Sequence, residues 1–370
     1  MLWVFRKSNR NNIILDEMSL GLAALLREYG IYFASSVANE SYEREEQDMK
    51  QYIIRRLFIS VIVLFGVSIM IYLLGKLTPG DYIATITSGN PNITAEMEQK
   101  MRESYGLDKG LVEGYISWLG GALRGDFGTS FLFQKPVTEI IMRYIPITFA
   151  LAFTAMVFEL LLAIPFGILA ARKQYSRSDY TIVTIALVGI SLPSFFFAAI
   201  LKRVFAIGLG VLPLSGMVNA RAGFTGWDRI MDIGHHLILP ITVFVITGVG
   251  SLLRYVRTNM LEVLSADYVR TARAKGVPEY KVIGKHAFRN TLIPIVTMVG
   301  GMIPGLFSGA VITEGIFSIE GLGNIALKAV TAGDIPYLMG FSMFLAVLTL
   351  IGTLVSDILY AVVDPRVRYN

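Results

Sequence analysis

The residues best suited to chemistry lie between positions 254 and 290. There the chain reads Asp267-Tyr268-Val269-Arg270-Thr271-Ala272-Arg273-Ala274-Lys275-Gly276-Val277-Pro278, and runs on through Glu279 and Tyr280 to His286-Ala287-Phe288-Arg289-Asn290. Helix formers continue up to Lys275. Gly276 is a natural helix end, and Pro278 can open the next helix at its first turn. The expectation is a short helix, a sharp turn and a second helix that together present a basic surface. Nucleic acid is a poor fit, because the patch is short and Glu262, Asp267 and Glu279 dilute it. Simple charge anchoring at a membrane needs only a few cations and leaves the order Ala272, Ala274, Gly276, Pro278 unexplained.

The elements that must hold this loop follow from composition. Of 370 residues, 54% are hydrophobic and only 16% charged. Soluble domains carry nearer ~25% charged residues, and disorder needs low hydrophobicity. Membrane spans explain the excess, each needing ~20 mostly apolar residues. Six stretches qualify: Leu57 to Leu74, Ile147 to Ala171, Thr181 to Leu201, Leu237 to Leu253, Thr291 to Thr313 and Tyr337 to Val363. Lys50, Arg55 and Arg56 precede the first. Arg172, Lys173 and Arg177 follow the second, the 254–290 cations follow the fourth, and Arg366 and Arg368 follow the sixth. With six spans these segments share one side, which the positive-inside rule makes the cytoplasm. The fold expected is an all-α integral membrane protein with six transmembrane helices and both termini inside. The long segment 76–144, with Tyr105, Tyr115 and Trp118, reads as a small external subdomain. The domain layout is then an extension at 1–48, a first helix at 49–75, the external loop at 76–144 and a five-helix core at 145–370. Residues 1–48 read either as a cytoplasmic or interfacial helix or as an over-extended reading frame ahead of Met49.

Several residues inside these spans could act. Glu159 lies mid-way along the second, where a charge costs at least ~2.5 kcal/mol and must face other helices or water. Two readings stand: a residue of a translocation path, or a structural carboxylate held by a neighbouring helix. Gly300, Gly301, Pro304, Gly305 and Gly309 crowd the fifth span. They suit a kinked, movable, path-lining helix or close helix packing alike. His235-His236 has too few further ligands for a metal and reads as an interfacial cap. Zero cysteines exclude disulfides, thiolate metal sites and a cysteine nucleophile. No Gly-x-x-x-x-Gly-Lys-[Ser/Thr] string occurs, since Gly284-Lys285 lacks the upstream Gly and the following hydroxyl.

The 267–278 segment resembles the EAA loop of ATP-binding-cassette importer permeases of the dipeptide/oligopeptide type. The likeness covers nearly everything from Met49 to Asn370. Leu77-Thr78-Pro79-Gly80-Asp81, Tyr105-Gly106-Leu107-Asp108, Gly125-Asp126-Phe127-Gly128-Thr129-Ser130 and Pro146-Ile147-Thr148 match in order. Leu212-Pro213-Leu214-Ser215-Gly216, Glu314 through Gly323 and Asp364-Pro365-Arg366-Val367-Arg368 follow. Three departures stand out. Arg270 occupies the position of the Glu that names the motif, Glu320 stands where this branch commonly has Pro, and Lys202-Arg203 interrupts a usually apolar helix end. On a straight third span Lys202 would lie ~30 Å along, at the outer interface.

The resemblance implies a transport subunit and no enzyme. It implies half of a path for short peptides or similar solutes, a second permease that is a paralogue, two ATPase subunits and an external binding protein. It places the chain in a prokaryotic cell membrane among lipid, with no nucleic acid. It puts no cofactor on this chain, with ATP and Mg on the partner ATPase. Arg270, Arg273 and Lys275 become candidates for charge contact with that ATPase. The same fold could carry nickel chelates, glutathione or sugars. An ion-gradient transporter would favour inverted repeats and paired intramembrane charges, and neither is evident. A membrane enzyme would need a nucleophile–base pair within the spans, and none is evident either.

Overall fold

The structure is a computed structural model that describes residues 54–77, 96, 99, 109–308 and 311–363; of 293 and 358–363 it describes the backbone alone. Residues 1–48, Thr78–Asp81, Tyr105–Asp108, Gly309 and Asp364–Arg368 therefore lie outside the described residues. The chain divides into two units, 1–60 with 368–370 and 61–367. Of the first, only 54–60 are described, and they are helical.

Among the described residues there is no strand; one isolated bridge joins Thr129 to Pro136. Four helices are long and apolar enough to cross a membrane: α1 (Ile54–Leu77), α3 (Val137–Arg172), α6 (Gly226–Ser265) and α13 (Ile335–Val363). Two bent pairs raise the number to as many as six. One pair is α4 (Arg177–Ser191) with α5 (Ser194–Leu201) and its π-helical continuation Lys202–Gly208. The other starts at α8 (Glu279–Lys281), continues through the π-helical turns Val282–Phe288 into α9 (Arg289–Met302), and ends at α10 (Gly305–Ser308). Short helices complete the set: α2 (Leu111–Ala122), α7 (Asp267–Ala274), α11 (Val311–Ile316) and α12 (Leu322–Ala332).

The helices outlast their apolar windows. α3 begins ten residues before Ile147, so Pro146 and Pro165 both lie inside it, and α6 starts at Gly226 and runs past Leu253 to Ser265. Hydrophobicity marks only the part that meets hydrocarbon, whereas backbone hydrogen bonding carries a helix on into the polar interface.

α3 is the spine. Its start (Val137, Ile140, Ile141) packs with Leu322, Ile325 and Tyr337. Its middle (Leu151) packs with Leu239, Val243 and Phe317. Its end (Ala163, Ala171) packs with Leu252, Val256, Met260 and Ala287. α6 meets the second and third of these clusters in the same order, so the two long helices run parallel. Contacts eight residues apart agree: the site of a side chain at Gly248 is filled by Glu159, and Val256 fills the corresponding site at Gly167. The chain between two parallel helices must return over the same thickness, and α4 with α5 is the segment available. That return is broken by 100° between Ser191 and Ser194, where Pro193 cannot donate a helical hydrogen bond. The straight 30 Å third helix expected from the sequence is thus replaced by an angled one.

Candidate functional site

The 267–278 segment folds as a helix with a built stop. α7 ends in a complete Schellman turn: the Gly276 amide donates to the Arg273 carbonyl at 2.9 Å and the Val277 amide to the Ala272 carbonyl at 3.2 Å. Gly276 holds φ at +74°, a conformation that L side chains rarely adopt. Val277 then packs on Val269, Ala272 and Val282, which closes the apolar contact of the turn. Pro278 caps the next helix, whose first residue is Glu279, one position later than the sequence suggested. Across the turn Arg273 donates two hydrogen bonds to Glu279, at 2.9 and 3.2 Å. These hold the Glu279 carboxyl below its ordinary value.

The loop is therefore a rigid knob with two faces. Val269 and Ala272 face the protein. Asp267, Tyr268, Arg270, Thr271, Arg273, Ala274, Lys275 and Pro278 are exposed, and Tyr280 is 72% exposed. Of the three cations singled out in the sequence, Arg273 is engaged by Glu279, while Arg270 makes only a long 3.6 Å ion pair with an exposed Asp267. Arg270 and Lys275 are thus the cations freer to meet a partner.

The candidate path residues separate into two groups. Glu159 is 7% exposed and its carboxylate lies against Gly248 in the α3–α6 seam. Pro304 fills the space above Gly352, and a side chain at Gly300 would meet Ser356 of α13. Positions 300 and 304 against 356 and 352 are the register of an antiparallel seam between small residues. Gly301 and Gly305 face open space instead, with nothing near the site of an added Cβ. A bend of 45° in this pair falls between Leu292 and Pro294, and at Ile303 and Pro304 the helix gives way to a turn.

Other sites escaped the sequence reading. Glu314, within a quoted motif but given no role, is fully buried. It accepts from Thr148 Oγ1 at 3.0 Å and the Asn324 amide at 2.9 Å, while Thr148 Oγ1 accepts from the Leu322 amide at 2.7 Å. Asp334, also buried, accepts from Ser130 Oγ at 2.5 Å and from the Phe131 and Leu132 amides, which ties the Gly125–Ser130 motif to the start of α13. Lys202 donates to the Ile316 carbonyl at 2.7 Å and sits 5.4 Å from the Phe317 ring centre. It is a clamp on the turn after α11, not a snorkelling end. His235 and His236 lie inside α6 and engage the Val211 and Asp232 carbonyls. A Glu next to glycines, or a lysine in an apolar run, was the only local signal for these partners.

A family described as "Binding-protein-dependent transport system inner membrane component" matches residues 163–369, and its companion N-terminal family matches residues 49–152. The chain belongs to this family. It is a permease subunit of an ABC importer. The oligopeptide transport system permease protein AppB of Bacillus subtilis is 40% identical to this permease over 322 residues, covering 87% of this chain and all of AppB. The dipeptide transport system permease protein DppB of Escherichia coli is 34% identical over 339 residues, again 87% of this chain and all of the relative. A solved structure of the MetNI methionine ABC transporter in inward-facing conformations covers 61% of this permease and 96% of its own chain, at 15% identity and a TM-score of 0.48.

Proposed function

We propose that this permease forms one half of the path by which short peptides enter a prokaryotic cell, and that it is driven by ATPase subunits carried on other chains. The observation that carries the reading is the rigid, exposed helix α7, stopped by Gly276 and backed by its own apolar cluster. A part that converts a partner's movement into helix movement must not bend at its attachment, and this one is fastened by both hydrogen bonds and packing. Tyr268, Arg270, Lys275 and Tyr280 offer aromatic and cationic contacts on its free side. ATP and Mg belong to the ATPase, and this chain contributes no cofactor. The complex contains a second permease, a paralogue, with two ATPases on the cytoplasmic face and a peptide-delivering binding protein on the other. Peptide as cargo is supported by relatives named for oligopeptide and dipeptide transport.

In the membrane we read six spans with both ends inside, counting each bent pair as one crossing. Residues 76–144 form the external subdomain and 145–370 the core. Gly301 and Gly305, on the open side of α9 and α10, are the best candidates for lining the path, whereas Glu159 serves the α3–α6 seam. The test is reconstitution of the four-part complex with its binding protein in proteoliposomes. ATP-dependent uptake of labelled di- and oligopeptides is expected, and Arg270→Glu combined with Lys275→Glu is expected to lower co-purification of the ATPase. Uptake that needs no ATPase chain would overturn the reading.

A further inference from the structure

At the end of α3 the chain reverses through Lys173 to Ser176 and enters α4. Tyr175 takes a positive φ of +62° in this reversal. Ser176 caps α4 by accepting from the Asp179 amide, and the Tyr175 amide donates back to Asp179 Oδ2 at 2.9 Å. Asp179 is therefore fixed by its own turn. It is also only 2% exposed, and it takes a two-point clasp from α6: Arg257 Nε donates to Oδ1 at 2.7 Å and Nη2 to Oδ2 at 2.8 Å.

This clasp continues a register. Adding a Cβ to Gly250 would strike the Ala186 carbonyl, and adding one to Gly189 would strike the Ile246 carbonyl. Positions 179, 186 and 189 of α4 thus meet 257, 250 and 246 of α6 in antiparallel step. The helices touch backbone to backbone at two levels and are joined by charge at a third. Arg257 sits eight residues before the end of α6 at Ser265, or ~12 Å of continuous helix at 1.5 Å per residue. α7 begins two residues beyond that end. Val256 and Met260, on either side of Arg257, are fully buried in the cluster that also holds Ala171 and Ala186.

A partly buried ion pair, with Asp179 enclosed and the Arg257 side chain 21% exposed, is a poor device for stability alone, since desolvation offsets much of the attraction. What the fork geometry adds is direction: a bidentate guanidinium–carboxylate contact fixes angle and distance together. We propose that Asp179 and Arg257 are positioning residues of the transport cycle. They lock the α3–α4 reversal to α6, so that displacement of α7 moves α4 and α6 as one body and reaches the Pro193 bend without loss. This rests on α7 being the ATPase contact proposed above.

This chain has no cysteine, so two engineered cysteines are its only thiols and are spin-labelled before the permease is assembled with its partners. Tyr180→Cys on α4 and Thr258→Cys on α6 are both exposed and suit spin labels. The experiment uses the complete importer in proteoliposomes, with wild type, Asp179→Asn, Arg257→Gln and Arg257→Lys compared for ATP hydrolysed, peptide carried and label separation with and without trapped ATP. In wild type the label separation is expected to stay constant between the two states, and in Asp179→Asn to change by several ångströms. Peptide carried per ATP is expected to fall about tenfold in Asp179→Asn and Arg257→Gln, within the range seen for residues between coupled sites. Arg257→Lys, which keeps the charge and loses the fork, falls between. A wild-type separation that itself changes with ATP overturns the proposal. So does an unchanged ratio of peptide to ATP in assembled variants, or a parallel loss of hydrolysis, uptake and assembly, which marks a purely structural pair. Should wild type carry no peptide, the cargo reading fails by itself, and the label separation, which needs only ATP, still decides the clasp.

Discussion

Gly276 carries the sharpest residue-level expectation. An added Cβ there meets no neighbouring atom, so Gly276→Ala is penalised through the backbone alone. Holding φ at +74° with a side chain costs about 1–2 kcal/mol. The turn should relax and rotate α7, so ATPase co-purification falls while the thermal midpoint of the permease in detergent moves little. Glu314→Ala is expected to do the opposite. It strips Thr148 Oγ1 and the Asn324 amide of an acceptor inside the protein, at a cost of about 1–3 kcal/mol, and lowers the thermal midpoint without touching the α7 surface. The Arg273–Glu279 pair sets a pH expectation. Because Glu279's folded value is depressed, whatever it contributes is complete above the unfolded carboxylate value near pH ~4.3 and is lost as pH falls through the folded value. ATPase binding should therefore show no dependence on this pair between pH ~6 and ~8, which Arg273→Gln and wild type measured across that window will check.

Between elements, the governing contacts are glycines. Gly250→Ala and Gly189→Ala each drive a methyl into a backbone carbonyl of the facing helix, which cannot swing aside as a side chain would. Overpacking of this kind costs about 1–3 kcal/mol, so both variants should lower the thermal midpoint. Gly301→Ala, which faces open space, should not. The difference between these positions explains what the sequence could reveal. The α7 turn was readable because Gly276 and Pro278 act on their own neighbours, through φ and a missing amide. The long helices were readable because burial in lipid demands an unbroken apolar run. The clasp of Asp179 on Arg257, and those of Glu314 on Thr148 and Asp334 on Ser130, join residues 78, 166 and 204 positions apart. Only the packed fold brings them together. Lys202 differs for a related reason: a straight third helix would carry it to the outer interface, and the 100° break brings it onto the Ile316 carbonyl instead. Pro193 was visible, but the angle it permits depends on what α5 packs against.

For the molecule as a whole, α3 and α6 run parallel, α4 and α5 make the angled return between them, and the α7 knob stands exposed at the end of α6. Hydrophobic residues, 54% of the chain, supply both the exposed apolar helix faces and the seams between helices, and its basic loop is folded into that knob. On this reading movement enters through α7 from a separate ATPase and leaves as peptide transport. The most direct measurement is peptide uptake by proteoliposomes holding the complete importer, with ATP enclosed with the ATPase and ion gradients collapsed by ionophores. Uptake is expected to depend on ATP, to survive the ionophores and to be abolished when Arg270→Glu and Lys275→Glu are combined. Uptake that persists without ATP, or that vanishes with the gradients, would contradict this reading.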